Sequence, residues 1–579
     1  MIKKIKRRVL PANGVPLQGV PEFLDRIYRS RGIVSSDELE MGLGRLEDNS
    51  KLKGLTEAIN FLIRALNARE KILVVGDFDA DGATSTALAV HALAAMGAKD
   101  CSYLVPNRFE YGYGLTPEIV DLAATHNPDL IVTVDNGIAS HEGVDRAHAL
   151  GIKVIVTDHH LPGDSLPNAD AIVNPNQGGC EFLSKNAAGV GVIFYLLSSL
   201  RTELRDRNWF AAENIQEPNM ADYLDLVALG TVADLVPLDR NNRILVEQGL
   251  RRMRAGKCRP GIKAILAIAQ KRPQEVVASD MGFLVGPRLN AAGRLDDMSL
   301  GIACLLATNE AQADNLALQL DHLNRQRKSI EEDMKRDAEH QLKDMTLNEA
   351  SPGWGVCLFE PHWHQGVIGI LASRVKEKLH RPVIVFAPAS DDPMAENADL
   401  KGSARSIAGL HMRDALDLLA KRHPELLSKF GGHAMAAGMT IKAQNFEVFK
   451  KAFNDVVREL VDASDLESVF MSDGELSDSE LALDNVELLV RSGPWGQQFP
   501  EPTFDGVFRV VQNKVLKEKH LKLVLVAENG QQLFDAIQFN SDWVSQVLPA
   551  MVRVVYRPNI NDFRGRRSVQ FMLDHIEEA

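Results

Sequence analysis

"VVGDFDADGATS", residues 74–85, decides how the rest of the chain is read. An apolar run ends there and three carboxylates follow at alternate positions, Asp77, Asp79 and Asp81. Like charges ~4 Å apart repel by about 4 kcal/mol per pair at an effective dielectric of about 20. Working outward, "KILVV" reads as a strand and "ATSTALAVHALAAMGA" as an Ala-rich helix. "SYLV", a helix near 116–125, "LIVTV", a helix near 139–150 and "KVIVT" follow. Strands alternating with helices of this length predict a parallel α/β sheet, and their uniformly apolar character predicts cover on both faces.

The acids then fall into place. "KILVV" runs into "GDFDAD", "LIVTV" into Asp135 of "DNG", and "KVIVT" into Asp158 of "DHH", followed by His159 and His160. Three strands deliver carboxylates at their C-terminal ends, which in an open parallel sheet line one ligand crevice. A later apolar segment, "YLDLVALGTVADLVPL", brings Asp234 to the same rim. Carboxylates crowded in this way call for a cation. Oxygen and imidazole donors suit Mg2+ and Mn2+, the histidine tilting the choice toward Mn2+ or a similar transition metal. Four or five acids plus a histidine are more than one ion needs, and suit two ions ~3.5–4 Å apart, an arrangement that hydrolyses phosphate esters. Taken singly the signals are weak. An Asp after a strand is commonly a helix N-cap, a reading open to Asp81 before "GATSTAL". Three acid-bearing strand ends in one sheet are much harder to explain as caps.

Composition agrees. The 579 residues are 45% hydrophobic and 25% charged, ordinary for a globular protein of three or four domains. No run of ~18 apolar residues is present, so no membrane span is expected. The basic N-terminus lacks the apolar stretch of a secretory signal. Five scattered cysteines without a CxxC fit a reducing cytoplasm and exclude a cysteine-based zinc site. The net charge of -13 argues only weakly against nucleic acid, because a metal-binding acid cluster itself makes the count negative.

Residues 240–345 read as helical, with one long helix across "ADNLALQLDHLNRQRKSIEEDMKRDAEHQLKDM". A second α/β pattern follows in "WGVCLF", "PVIVFA" and the Gly-rich "KFGGHAMAAGMT". After an acidic stretch near 463–485, "GVFRVVQNKVLKEKHLKLVLVAENGQQLFDAIQF" and "VRVVYRP" alternate like strands of a small β-barrel. The expected division is an N-terminal segment (1–65), a catalytic domain (66–240), a helical connector (241–350), a smaller α/β domain (351–465) and a barrel (466–579).

These motifs resemble the DHH phosphoesterase superfamily, and within it the bacterial single-strand-specific DNA exonucleases. The resemblance runs from about Pro21 to the C-terminus. It rests on "VVGDFDADGATSTAL", "LIVTVDNGI", "VIVTDHHLPG" and "ALGTVADLVPL", then on "GPRLNAAGRL", "HQGVIGILASR", "KGSARSI", "GGHAMAAG" and "GPWGQQFPEPTF". It implies a DHH domain, a DHHA1-like second α/β domain and a C-terminal OB fold. It implies a Mn2+- or Mg2+-dependent 5′→3′ exonuclease on single-stranded DNA, active in repair and recombination. By the resemblance the metal ligands are Asp79, Asp81, Asp135, His159 and Asp234, with Asp77 joining them directly or through a neighbouring ligand. His160 is placed to meet the scissile phosphate or polarise a water, and Asp158 to orient a histidine. One departure stands out. Many relatives read "HGDYDADG", whereas the position of that histidine is Val75 here, which leaves the first ion short of one nitrogen and predicts weaker binding.

A nuclease must also hold its strand. Arg288 and Arg294 are spaced to grip phosphates, surface ion pairs being the alternative. Arg108 beside Phe109, Tyr111 and Tyr113 joins phosphate contact to base stacking, worth ~1–3 kcal/mol per base, with packing in the core as the alternative. Ser403, Arg405 and His433 lie in Gly-rich stretches that admit a phosphate close to backbone N–H groups, and are expected to bind the terminal nucleotide. Gln326, Arg327 and Lys328 sit on the long helix, where a charged run is usually a solvated face. Lys517 and Lys519, with Arg509, Lys514 and Lys522, and with Arg557, Arg564, Arg566 and Arg567 further on, make a basic groove on the barrel. A channel between the two α/β domains that admits one strand but not a duplex would select single strands by size. The alternatives are a DHH phosphodiesterase of short oligonucleotides or cyclic dinucleotides, and a non-catalytic single-strand-binding protein. A single-strand-binding protein and a helicase are suggested as partners, though no residue identifies them, and a monomer is the default state.

Overall fold

The computed structural model describes residues 4–11, 15–107, 111, 114–348, 353–389, 398–528, 530–563 and 565–579, the side chains of 344–348 and 563 excepted. The chain forms two compact units, one of Arg7–His322 with Met471–Ala579 and one of Leu323–Phe470 with the N-terminal residues up to Lys6.

The larger unit is organised on five parallel strands: β1 (Ile72–Gly76), β2 (Cys101–Leu104), β3 (Leu130–Val134), β4 (Lys153–Thr157) and β5 (Ala171–Val173), ordered β2-β1-β3-β4-β5. From β1 the chain crosses to β2 on one side and then to β3 on the other. That reversal opens a crevice at the C-terminal ends of β1 and β3. On one face Leu73, Val75, Ile131, Val154 and Val156 pack against Ile119, Val120, Ala123, Val144 and Ala147 of the helices Pro117–Ala124 and His141–Ala149. Val75, the departure from the related sequences, is part of this core. On the other face lie α1 (Ala80–Ala95), α2 (Gly189–Asp206) and α3 (Leu224–Ala233), packed on one another. Twelve of the sixteen residues of α1 are buried and its exposed residues are the last two, Ala94 and Ala95, so it is a central helix, which is why it is built of Ala, Gly and Thr. The helices of 240–306 pack within this unit. They include α4 (Gly286–Leu295), entered through a π-helical turn at Met281–Val285. Helix α5 (Glu310–Asn348) then carries the chain onward.

The smaller unit holds β6 (Val356–Phe359), β7 (Val383–Pro388), β8 (Asp399–Arg405), β9 (Lys429–Gly432) and β10 (Ala436–Lys442) in the order β9-β10-β8-β7-β6, with only β6 and β7 parallel. Its core gathers Ile384, Phe386, Leu400, Phe449 and Phe453. The C-terminal region of the larger unit is a closed five-stranded barrel of β11 (Phe504–Leu516), β12 (His520–Ala527), β13 (Leu533–Gln538), β14 (Met551–Phe563) and β15 (Arg566–Glu578). Phe571 stacks inside it between Phe534 and Tyr556, ring centroids 4.7 and 4.2 Å away.

The barrel is fastened to the start of the chain. Tyr28, Trp495 and Phe499 stack, with 5.9 Å between the first two and 5.1 Å between the last two. The guanidinium of Arg31 lies 5.3 Å from the Trp495 ring and that of Arg243 4.2 Å from Phe499. Arg31 also pairs with Asp473 at 2.8 Å, both side chains buried. Asp505, fully buried, accepts from Arg7 Nε and Nη2 at 2.9 Å, Ser472 Oγ at 2.5 Å and Arg553 Nη2 at 2.8 Å. Against the penalty of burial, these hydrogen bonds hold its carboxyl at about 2. Among the described residues no helix is long and apolar enough to cross a membrane, and all five cysteines are free.

Removing the Asp505 charge leaves two guanidinium groups facing a neutral amide. Asp505→Asn is expected to cost about 3 kcal/mol. A depressed carboxyl contributes stability above its unfolded value and loses it as pH falls through the folded one. The gap in melting temperature between wild type and variant is therefore constant from pH 8 to pH 5 and narrows below about pH 4, as thermal melts across pH will show.

Candidate metal centre

The acids of β1 are distributed by the turn that follows it. Asp79 is the N-cap of α1, its carboxylate accepting from the backbone N–H of Asp81 at 2.9 Å and of Gly82 at 3.0 Å. The cap reading therefore belongs to Asp79 and not to Asp81. Asp81, in the first turn of α1, points across to α2 and accepts from Gly189 N–H at 2.7 Å and Val190 N–H at 2.9 Å, at a helix N-terminus that favours negative charge. Asp135 follows β3 in a left-handed backbone conformation, φ 63°, and is buried. In the same turn the Asn136 amide donates to the carbonyls of Val75 and Val134, tying the end of β3 to β1. Asp234 caps the C-terminus of α3.

His159 Nε2 lies 3.1 Å from Asp135 Oδ1, 3.5 Å from Asp234 Oδ2 and 4.0 Å from Asp81 Oδ2. Two donor sets result, Asp77–Asp79–Asp135 and Asp81–His159–Asp234. In each set one ligand atom per residue lies within 4.8 Å of the others, and Asp135 also groups with His159 and His160. Asp158, the first residue of "DHH", is turned away from this centre. One of its oxygens accepts from the backbone N–H groups of His159 and His160 and approaches His160 Nδ1 at 2.7 Å, while the other accepts from Ile138 N–H. It thus orients His160 rather than His159.

The electrostatics are those of a site built for a cation. Burial, then the charge of Asp79, pushes Asp81 up to about 7. Burial followed by the neighbouring carboxylates raises Asp135 and Asp234 well above the usual range. For His160 burial works in the opposite direction, but the hydrogen bond and charge of Asp158 lift it to about 9. Divalent cations relieve the carboxylate crowding directly, and the oxygen-rich donor set with one imidazole fits Mn2+ or Mg2+.

Several residues that build the centre were not legible as site residues. Gly189 bears directly on a ligand, since a Cβ there would sit 2.6 Å from Asp135 Oδ1. A Cβ at Gly230 would meet Asp81 Oδ1 at 2.8 Å, and one at Gly293 would meet the Phe78 carbonyl at 1.9 Å. Asn290 Oδ1 accepts from Ala80 N–H at 2.8 Å, so "GPRLNAAGR" braces the DxD turn through its asparagine and glycine. Asn174 and Asn176, after β5, donate to the carbonyls of His160 and His159. The only sequence signal for that pair was polar residues at a strand end.

Of the expected strand-binding residues, Arg288 is held by Asp321 at 2.9 Å and by the Leu284 carbonyl at 2.7 Å, and Arg294 is half-buried six residues further along α4. Tyr111 packs, half-buried, on the sheet core, whereas Arg108, Phe109 and Tyr113 lie outside the described residues. In the smaller unit Ser403 and Arg405 share β8, with Arg405 Nη1 3.2 Å from Ser403 Oγ, and His433 is exposed in the turn between β9 and β10. A Cβ on Gly369 would stand 3.0 Å from both Ser403 Oγ and Arg405 Nη2, so "HQGVIG" makes room for this pair. Gln326 and Lys328 are exposed on α5, while Arg327 is buried and bound to Asn324 and Glu331. Lys517 and Lys519 are exposed at the β11–β12 hairpin tip. Arg557 and Arg567 are committed to carboxylates, the first to Asp574 and Glu501 and the second to Glu487.

The comparisons agree along the whole chain. Residues 71–231 match the DHH family N-terminal domain, 354–459 the DHHA1 domain and 472–575 the RecJ OB domain. The chain is 52% identical over 579 residues to the single-stranded-DNA-specific exonuclease RecJ of Dickeya dadantii, covering 100% of this chain and 99% of that protein. The chain belongs to the RecJ family. Its structure resembles that of Thermus thermophilus RecJ in complex with Mn2+, with a TM-score of 0.77 at 29% identity over 96% of this chain and 76% of the other. The Mg2+ complex of the same RecJ gives 0.72 at 28% identity over 97% and 75%.

Gly189 offers a direct test of the centre. Gly189→Ala forces the Asp135 side chain to move, and is expected to weaken Mn2+ binding by roughly 10–100-fold and to cost about 1–3 kcal/mol of stability. Calorimetric titration with Mn2+ measures this, and an unchanged affinity would contradict the geometry.

Proposed function

We propose that the chain is a single-strand-specific DNA exonuclease working 5′→3′, which hydrolyses phosphodiester bonds at a pair of divalent cations, Mn2+ or Mg2+. The supporting observation is the coincidence of two carboxylate-rich donor sets at one sheet switch point with RecJ-family membership over the whole chain. Asp77, Asp79 and Asp135 would hold one ion and Asp81, His159 and Asp234 the other. Bound there, divalent cations acidify water and offset the charge that develops on the phosphoryl oxygens. Asp158 fixes the His160 ring through Nδ1, so that the opposite edge meets a phosphoryl oxygen. Arg288, oriented by Asp321, and Arg294 grip phosphates. Tyr111 and Gln326 line the path of the strand. Ser403, Arg405 and His433 hold the terminal nucleotide, and Lys517 and Lys519 attract the strand to the barrel. The same reading makes the enzyme a cytoplasmic monomer of DNA repair and recombination, with a single-strand-binding protein and a helicase as partners.

Asp81→Ala is expected to abolish cleavage of a labelled single strand while binding, followed by fluorescence anisotropy in EDTA, persists. Near-normal degradation by that variant would overturn the assignment. Faster turnover of a dinucleotide than of a long strand would favour a small-substrate phosphodiesterase instead, and blocking the 5′ end against the 3′ end checks polarity.

A further inference from the structure

Phe283 is 79% exposed, the most exposed aromatic side chain among the described residues. It stands on the π-helical turn Met281–Val285, whose two ends, Met281 and Val285, are fully buried. The turn is pressed against the end of α3. A Cβ at Gly282 would lie 3.5 Å from Val232 Cγ1, and one at Gly286 would lie 3.2 Å from Ala233 Cβ. Asp234, a member of the second donor set, is the next residue of α3. Leu235 follows it in a left-handed conformation, φ 61°, and is 71% exposed. On the other side of Phe283, the Leu284 carbonyl accepts from Arg288. Helix α4, into which the turn runs, is locked to the DxD turn through Asn290 and Gly293.

An exposed phenyl ring thus stands on a turn that packs against the end of α3, just before Asp234, and whose Leu284 carbonyl receives Arg288. Isolated exposed apolar residues need no explanation on an ordinary surface. This one is held by a distorted helix of a type that recurs at functional sites. The phosphates must go to the cations and to Arg288. The part of a nucleotide left for a ring on this turn is its uncharged base, whose π-face pairs with a phenyl ring whatever the sequence. A protein partner is the weaker occupant, because a docking surface needs a contiguous patch of about 20–30 residues a side, whereas the exposed apolar side chains here are those of Phe283 and Leu235.

Resting on the nuclease reading above, we propose that Phe283 is a stacking platform for a nucleobase next to the scissile linkage, with Leu235 flanking it, and that it sets how tightly a strand is registered at the metal centre.

The test uses the full chain with Mn2+ and a single-stranded oligonucleotide carrying one abasic residue, moved step by step along the strand. Wild type is expected to pause with the abasic residue at one fixed distance from the cleaved bond. Phe283→Ala is expected to raise KM on an intact strand by about tenfold to a hundredfold, with little change in kcat, and to lose the pause. Phe283→Leu, which keeps bulk without a π-face, is expected to behave like Phe283→Ala, while Phe283→Trp restores both KM and the pause. Melting temperature and Mn2+ affinity should be unchanged in all three, since the ring lies outside the core. An unchanged KM in Phe283→Ala, a pause that survives the substitution, or equal loss in Phe283→Trp overturns the platform. A wild-type protein that leaves single strands intact would instead overturn the nuclease reading itself. Loss of a co-purifying protein in Phe283→Ala, with KM unchanged, would assign the ring to a protein interface.

Discussion

Mutual repulsion among buried carboxylates is the constraint around which the larger unit is arranged. Asp81, Asp135 and Asp234 come from three different elements and meet at one imidazole. Left to themselves, groups that crowd and desolvate one another separate or take up protons. Here they are held from behind. Asp81 is fixed by two N–H groups of α2, Asp135 by a left-handed turn, and Asp79 by its role as a cap. The absence of side chains at Gly189 and Gly230 lets α2 and α3 come close enough to complete the ring. Much of the small-residue composition of these helices follows from that closeness.

Much of this was legible in the chain because it is local. A strand ending in an acid can be seen in a dozen residues, and β1, β3 and β4 each end in that way. Asp234 was readable for a similar reason, as the polar residue that ends an apolar helix. What could not be read were relations between residues distant in sequence. Nothing near Arg288 announces Asp321, and nothing in "AAGVG" or "ALGTV" announces that a glycine makes room for a carboxylate more than fifty positions away. Arg327 illustrates the opposite problem. Its charged neighbours suggested a solvated face, but Asn324 and Glu331, one turn to either side, draw it into a buried position.

The barrel shows how a basic composition can mislead. Arg557 and Arg567 read as part of a positive groove, yet each has a carboxylate partner supplied from outside its own strand. The lysines at the β11–β12 tip remain exposed. The distinction is physical: the planar guanidinium of half-buried Arg557 meets both oxygens of Asp574, whereas a flexible ammonium at a hairpin tip stays in water.

The larger unit is assembled from both ends of the chain, Arg7–His322 and Met471–Ala579, with the smaller unit spliced between them. On the ribosome, elongation at about 5–20 residues per second puts a delay of roughly 10–50 s between the first part and the second. The inserted unit emerges whole in that interval and is free to fold. Its host must wait, with Tyr28, Arg31 and Arg243 lacking the aromatic residues they will later clasp. For that time an enzyme able to erode DNA is still short of a structural piece, so synthesis itself sets the moment of its completion.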